Sequence, residues 1–352
     1  MFVIIGFILF IVVLFMFYFT ALSFRRMEIL KDKKKVVAWC LSFIPIIIVF
    51  SVFNMVNALI IVLHYALILI IVNLIMLIIK KKNNNLLVLI SVLLTIIYFG
   101  YGAYESYHIS ETKYDINTSK DVSDFKIIQI SDTHIGATFD GKEFVSRIKK
   151  LSEIEADIFV ITGDFIDDDT TKEDMIDACS ALSLLHPKYG VYFVNGNHDR
   201  GYYSRDYSYE DLTNELVKNH VKVLIDEVVE INDDYVLVGR EDKQYSRKDI
   251  KELVSEVDES KFIIDLNHQP NDYNNEQGQV DLVLSGHTHG GQLFPLQYVG
   301  KMIGANDETY GLHKRKDTNF IVNSGMSSWA IDFKTGTHSE YVIINIHGEE
   351  NE

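Results

Sequence analysis

Two cysteines in 352 residues are too few for a disulfide framework. Cys40 falls in an apolar segment and Cys179 in an expected helix, so the pair has no reason to meet, and the redox compartment stays open. Positive charge is scarce where a nucleic-acid partner would need it. The chain carries 33 Lys and Arg against 49 Asp and Glu; setting aside the nine basic and two acidic residues that precede residue 105 leaves 24 against 47. A balance of about −23 over residues 105–352 supplies no basic groove for a phosphate backbone, and no nucleic-acid partner is expected. Residues 1–104 are instead short of acidic charge and overwhelmingly apolar.

Hydrophobic runs cover 2–24, 36–79 and 86–104, and a helix needs ~20 apolar residues to cross a bilayer. The middle run is long enough for two helices, divided by a turn near Asn54 to Asn57, with Pro45 a kink in the first. Four spans are expected, at 2–24, 36–53, 57–79 and 86–104, an all-α transmembrane region over residues 1–104. All nine of its basic residues sit in 25–35 and 80–85, loops that belong on the cytoplasmic side. An even number of spans then places everything after residue 104 on the extracytoplasmic side of a multi-pass cell-membrane protein. The first run has its basic residues after it rather than before it, and no small-x-small cleavage pattern, so it reads as retained. His64, Asn57 and Asn73 are polar residues inside the spans, a default mark of function, and the preferred reading is that they bond to neighbouring helices or sit near the interface.

Residues 105–124 are polar and aperiodic and read as a linker. Short β-type runs follow at 125–131, 157–162, 190–194, 221–225, 234–239, 261–266, 281–285, 319–323 and 341–346, and amphipathic helical stretches at 142–155, 171–185, 208–219 and 247–257. Strands alternating with helices predict an α/β domain over 125–347.

Five motif groups stand just after expected strands: SDTH, TGDF, NGNHD, NHQP and SGHTH. Ligands of α/β sheets gather beyond the carboxyl ends of strands, so these loops can converge. They supply Asp132, His134, Asp164, Asn197, His268, His287 and His289, an inventory of carboxylates, imidazoles and an amide oxygen. Two divalent ions about 3.5–4 Å apart need such a mixture. Taken singly, D-x-H is common, Gly-Asp and Asn-Gly-Asn are ordinary turns, and a solitary His at a strand end is usually a satisfied polar residue. Together, their order, strand-end placement and complementary chemistry point to a dinuclear metal site. His198 is the natural unligated acid of the group. Residues 200–209, RGYYSRDYSY, offer an aromatic rim in which Arg200 or Arg205 could meet phosphate, or an ordinary solvated loop.

The succession D-x-H, G-D, G-N-H-D and G-H-T-H over about 125–346 resembles the calcineurin-like metallophosphoesterase superfamily, and its bacterial membrane-associated branch related to UDP-diacylglucosamine pyrophosphatases. The resemblance implies a four-layer sandwich of two mixed β-sheets flanked by helices. It implies a first ion on Asp132, His134, Asp164 and His289, and a second on Asp164, Asn197, His268 and His287, the ions being Mn, Fe or Zn. It also implies His198 as the residue assisting the leaving group and Asp167 as the acid orienting it. Asp168 and Asp169 depart from the Arg-Gly of phosphoprotein phosphatases, and Asp332 and Lys334 from the Pro and Arg of related bacterial proteins. The expected function is hydrolysis of a phosphomonoester, phosphodiester or pyrophosphate bond in a small-molecule or lipid-linked substrate by a membrane-anchored enzyme. A membrane sensor that recognises a phosphorylated ligand without turnover is the alternative.

Overall fold

The computed structural model describes residues 2–81, 83–201 and 205–349, with residues 2–10 described by their backbone alone. The chain divides into two units, residues 1–103 and 104–352. The first is all helix: α1 (Phe2–Arg25), the single turn α2 (Glu28–Lys31), α3 (Lys35–Val52), α4 (Met55–Ile78) and α5 (Asn84–Tyr107), the last running on into the second unit. Three of these, α3, α4 and α5, are long and apolar enough to cross a membrane, which makes this a multi-pass membrane protein. The span expected over 2–24 lies in α1, whose apolar stretch with described side chains, Ile11–Arg25, is shorter than a full crossing. Asn54 caps α4, its side chain accepting from the Asn57 N–H at 2.9 Å, while Pro45 sits inside α3. His64 donates from Nδ1 to the Ile60 carbonyl at 2.9 Å and its ring stacks on Tyr98, so this polar residue is held by its own and a neighbouring helix.

The second unit is an α/β domain of two mixed six-stranded sheets. Its strands are β1 (Ile109–Asn117), β2 (Phe125–Ile130), β3 (Ile158–Thr162), β4 (Val191–Val194), β5 (Val221–Val223), β6 (Glu227–Glu230), β7 (Tyr235–Gly239), β8 (Phe262–Leu266), β9 (Leu282–Ser285), β10 (Gly311–Arg315), β11 (Thr318–Val322) and β12 (Ser339–His347). One sheet runs β1-β12-β2-β3-β4-β5 and the other β10-β11-β9-β8-β7-β6. Helices α6 (Gly141–Leu151), α7 (Lys172–Leu182) and α8 (Tyr209–Lys218) connect strands of the first sheet.

Alternation along each strand builds two cores at once. Ile127, Val160, Val194 and Ile344 face Leu237, Ile264, Leu284 and Ile321 between the sheets. Their neighbours Ile128, Ile161, Phe193 and Ile343 pack outward with Phe144, Ile148, Met175 and Leu212 of the helices. Strands β3, β4, β8 and β9 are buried throughout, as befits parallel strands covered on both faces.

The polar stretch 105–124, expected to be a linker, contains β1. This strand pairs in parallel with β12 over its whole length, from Ile109↔Ser339 to Asn117↔His347. Backbone pairing, rather than apolar burial, holds it there, since Ile116 alone of its nine residues is buried. The helix expected over 247–257 contracts to Ile250–Leu253.

Candidate metal centre

Strands β2, β3 and β4 are parallel neighbours in one sheet, and β8 and β9 in the other. Each hands its chain to a loop at the carboxyl end: Asp132 and His134 follow β2, Asp164 follows β3, and Asn197 and His198 follow β4. His268 follows β8, and His287 and His289 follow β9. Backbone bonds tie the loops together, from Asp132 N–H to the Gly163 carbonyl (3.0 Å), His134 N–H to the Asp164 carbonyl (3.1 Å) and Gly286 N–H to the His268 carbonyl (2.9 Å).

Among the described residues, three groups of side chains could each hold a metal ion: His134, Asp167 and His198, and, made wholly of residues read as ligands, two clusters, Asp132, His134 and His289, and Asp164, His268 and His287. Asp164 lies between them, with Oδ2 3.2 Å from His268 Nε2 and 3.7 Å from His134 Nε2. Asn197 joins the second cluster, its Oδ1 3.2 Å from His268 Nε2. Asp167 and His198 stand alongside, joined by a hydrogen bond from His198 Nδ1 at 3.1 Å, with the other Asp167 oxygen 3.3 Å from His134 Nδ1. All seven residues read as ligands and both read as catalytic are therefore in one place.

The donor chemistry fits cations. His268 gives its Nδ1 proton to the Thr162 carbonyl (2.8 Å) and His289 to the Ser327 carbonyl (3.2 Å), which turns Nε2 of both rings to the site. There His268 Nε2 faces Asp164 Oδ2 and Asn197 Oδ1, each at 3.2 Å, and His289 Nε2 faces His134 Nε2 at 3.2 Å. Imidazole nitrogens, carboxylate oxygens and an amide oxygen converging in this way are a donor mixture that divalent cations take. The titration pattern divides the site: against burial, Asp164 holds the His268 imidazolium well above its ordinary range. Burial pushes the His287 imidazole down to about 4 and holds His289 well below the ordinary range, so both are neutral donors. Burial also raises Asp132, whereas for Asp164 it is outweighed by His268, His134 and His198, which hold that carboxyl well below its usual value.

The backbone is bent to reach this geometry. Asp132, His134, Asp164, His287 and His289 all adopt left-handed φ, between 37° and 71°. Such conformations cost roughly 1–3 kcal/mol each and persist where the surroundings over-determine them. Two glycines make room. A Cβ on Gly286 would strike Ser131 Oγ and Asp132 Oδ2, and one on Gly196 would strike the Asp164 carboxylate.

Asp199, which carried no signal of its own in GNHD, holds the site from behind. Fully buried, its carboxylate accepts from the N–H groups of Asp164 (2.9 Å), Phe165 (2.9 Å), Ile166 (3.3 Å) and Gly196 (2.7 Å). Asp199→Ala would orphan these donors at about 1–3 kcal/mol each. Thermal melting should show it as a large loss of stability already in metal-free protein; an unchanged melting temperature would refute this role.

The arginines expected at a phosphate rim are otherwise engaged. Arg200 is sandwiched between the rings of Tyr209 and Tyr245 and paired with Glu241, while Arg205 donates to the Asp199 carbonyl at 2.7 Å. Lys334 is fully buried and donates to the carbonyls of Ser324 (2.6 Å) and Gly325 (3.2 Å), and burial pushes its ammonium down to about 7. It braces the loop behind Asp132. From the same C-terminal segment Trp329, 40% exposed, sets its ring 4.9 Å from that of His198 and 6.3 Å from that of His134.

A family model described as calcineurin-like phosphoesterase matches residues 125–291. An "uncharacterized metallophosphoesterase" of Aquifex aeolicus is 31% identical over 271 residues, which cover 74% of this chain and all of that protein. Another, from Helicobacter pylori strain J99, is 32% identical over 71% of this chain and 67% of its own. A "transmembrane protein with metallophosphoesterase domain" of Bos taurus is 28% identical, over 62% of this chain and 52% of that protein. A relative of this identity matched along its full length, together with the strand-end clusters, establishes that the chain belongs to the calcineurin-like metallophosphoesterase superfamily.

Proposed function

We propose that the protein is a membrane-anchored, dinuclear metal-dependent hydrolase of phosphomonoester, phosphodiester or pyrophosphate bonds. The observation that carries this reading is the Asp164 carboxylate between two clusters of ligand type. We assign one ion to Asp132, His134, Asp164 and His289 and the other to Asp164, Asn197, His268 and His287, the metal being Mn, Fe or Zn. When bound, two such cations supply an acidified water and neutralise phosphoryl charge. The chain's own residues do the rest. His198, protonated, gives a proton to the departing oxygen, and Asp167 holds its ring by the Nδ1 contact. Trp329 forms a wall beside His198 against which an apolar or aromatic leaving group lies.

We further propose that α1 completes a fourth span, so that the basic loops at 25–35 and 80–85 are cytoplasmic and the catalytic domain is extracytoplasmic. An anchored site meets lipid-linked phosphoesters at high effective concentration, which favours a membrane-derived substrate. The resemblance of the motif pattern to that of UDP-diacylglucosamine pyrophosphatases makes a lipid-linked pyrophosphate one such candidate.

The test is turnover of p-nitrophenyl phosphate and of its bis ester by the full-length protein with Mn, Fe or Zn and after chelation. Metal-dependent release of nitrophenol is expected. A folded, metal-loaded sample that releases none is a binding module and not a hydrolase. Trp329→Ala should raise KM for the nitrophenyl esters several-fold while changing kcat less; a pure kcat loss would remove Trp329 from substrate contact. Protease cleavage of the domain in intact cells supports the outward topology, and protection reverses it.

A further inference from the structure

Residues 294–305, directly after the SGHTHGGQL segment, are mostly exposed and mostly apolar. Met302 is 81% exposed and Ile303 74%, with Leu296, Tyr298 and Val299 exposed beside them. Elsewhere in the domain, exposed large apolar side chains among the described residues, such as Ile176, Val217 and Ile225, are dispersed along the chain. A contiguous patch on a water-facing domain marks an interaction surface or a liability to aggregate.

The segment is a built arch. It opens with Gln297 packed on Gly291 and its N–H bonded to the Leu293 carbonyl at 2.9 Å. Its base is braced by Thr335 N–H to the Gln292 carbonyl (2.8 Å) and Phe294 N–H to Thr335 Oγ1 (3.2 Å). Gln292 Nε2 also donates to the Trp329 carbonyl at 3.0 Å, so the arch shares its footing with the indole beside His198. The crown, from Val299 to Met302, is one helical turn carrying the only charge of 294–305, Lys301, whose ammonium is bound by Glu308 at 2.6 Å.

We infer that this arch inserts its apolar crown into the acyl region of the bilayer in which the protein is anchored, and so brings the metal centre to lipid-borne phosphoesters. Three observations select a bilayer as the occupant. The same chain carries membrane-crossing helices, and His108 alone separates α5 from β1, so the domain is tethered within reach of lipid. The exposed large side chains are aliphatic, methionine, phenylalanine and tyrosine, a composition suited to the interfacial and acyl layers. The acidic balance of residues 105–352 rules out docking on an anionic headgroup layer by charge alone, leaving insertion of apolar side chains as the attraction. The inference rests on the membrane anchorage proposed above and deepens the lipid-linked reading of the substrate.

The test uses full-length protein in phosphatidylcholine nanodiscs with Cys40→Ser, since Cys179 is buried. A bimane label is placed on Met302→Cys or, separately, on Ile303→Cys, with Val217→Cys on α8 as the exposed control. Brominated acyl chains should quench the arch labels at least several-fold more than the control, and aqueous iodide should quench them less. Arch labels that iodide quenches as it does the control, and brominated lipid does not, overturn the inference. Because quenching is read without turnover, an inserted arch on a protein inactive toward nitrophenyl esters would sink the hydrolase reading and leave this one standing.

Discussion

Asp164→Asn should strip the centre of metal and of activity together. The asparagine keeps an oxygen where Asp164 Oδ1 accepts the His198 N–H at 2.8 Å, so the loop bond survives and the change is one of charge. That charge is what the site is built around. With it gone, His268, whose imidazolium Asp164 stabilises well above the ordinary range despite burial, loses its main counter-charge, and two cations lose their shared ligand. Elemental analysis should find fewer than two ions per chain, and turnover of p-nitrophenyl phosphate should fall on the order of 10³-fold or more. A variant that keeps two ions and wild-type turnover would show that Asp164 is not shared between them.

His198→Ala separates chemistry from metal binding. It should lower kcat by about 10²–10⁴-fold, the usual contribution of a positioned acid, with both ions retained. Loss of both metals in that variant would make His198 a ligand. Its partner sets the pH range. Burial draws the His198 imidazolium down, but the hydrogen bond to Asp167 and the carboxylates Asp164, Asp167 and Asp199 raise it above its ordinary value. Protonated His198 is the active form, so activity is present below this pKa and lost as pH rises through it. Asp167→Asn removes one of the causes and should move the alkaline limb of the rate profile to lower pH. An unmoved limb, with metals in place, would dissociate Asp167 from the proton transfer.

All nine strands expected from hydrophobic runs are present, and the three that were not expected, β1, β6 and β10, share a physical reason. Each is an edge strand. Edges are buried little and carry charge, as in ISETKYDIN of β1, EVVE of β6 and GLHKR of β10, so they leave no apolar alternation to read. The stretch 247–257 shows the opposite case: it has helical apolar spacing, yet only Ile250–Leu253 is helix. At the centre, metal-seeking side chains announce themselves by type and by strand-end position, and the residues so marked gather together. Asp199 and Lys334 do not announce themselves. Their work is done on backbone groups of distant loops, which no local pattern encodes. The left-handed φ of Asp132 or His287 is equally silent in sequence, because any residue type can be forced there by its neighbours.

The place of β1 bears on how this domain can be prepared. Truncation at residue 125, where the family match begins, would delete a strand that shields β12 along nine residues. The bared rim of β12, Ser339–His347, is long and rich in isoleucine and valine, a template for stacking between copies during refolding or storage. Soluble fragments should therefore start before Ile109, and precipitation of shorter ones would report the missing strand rather than a defective catalyst.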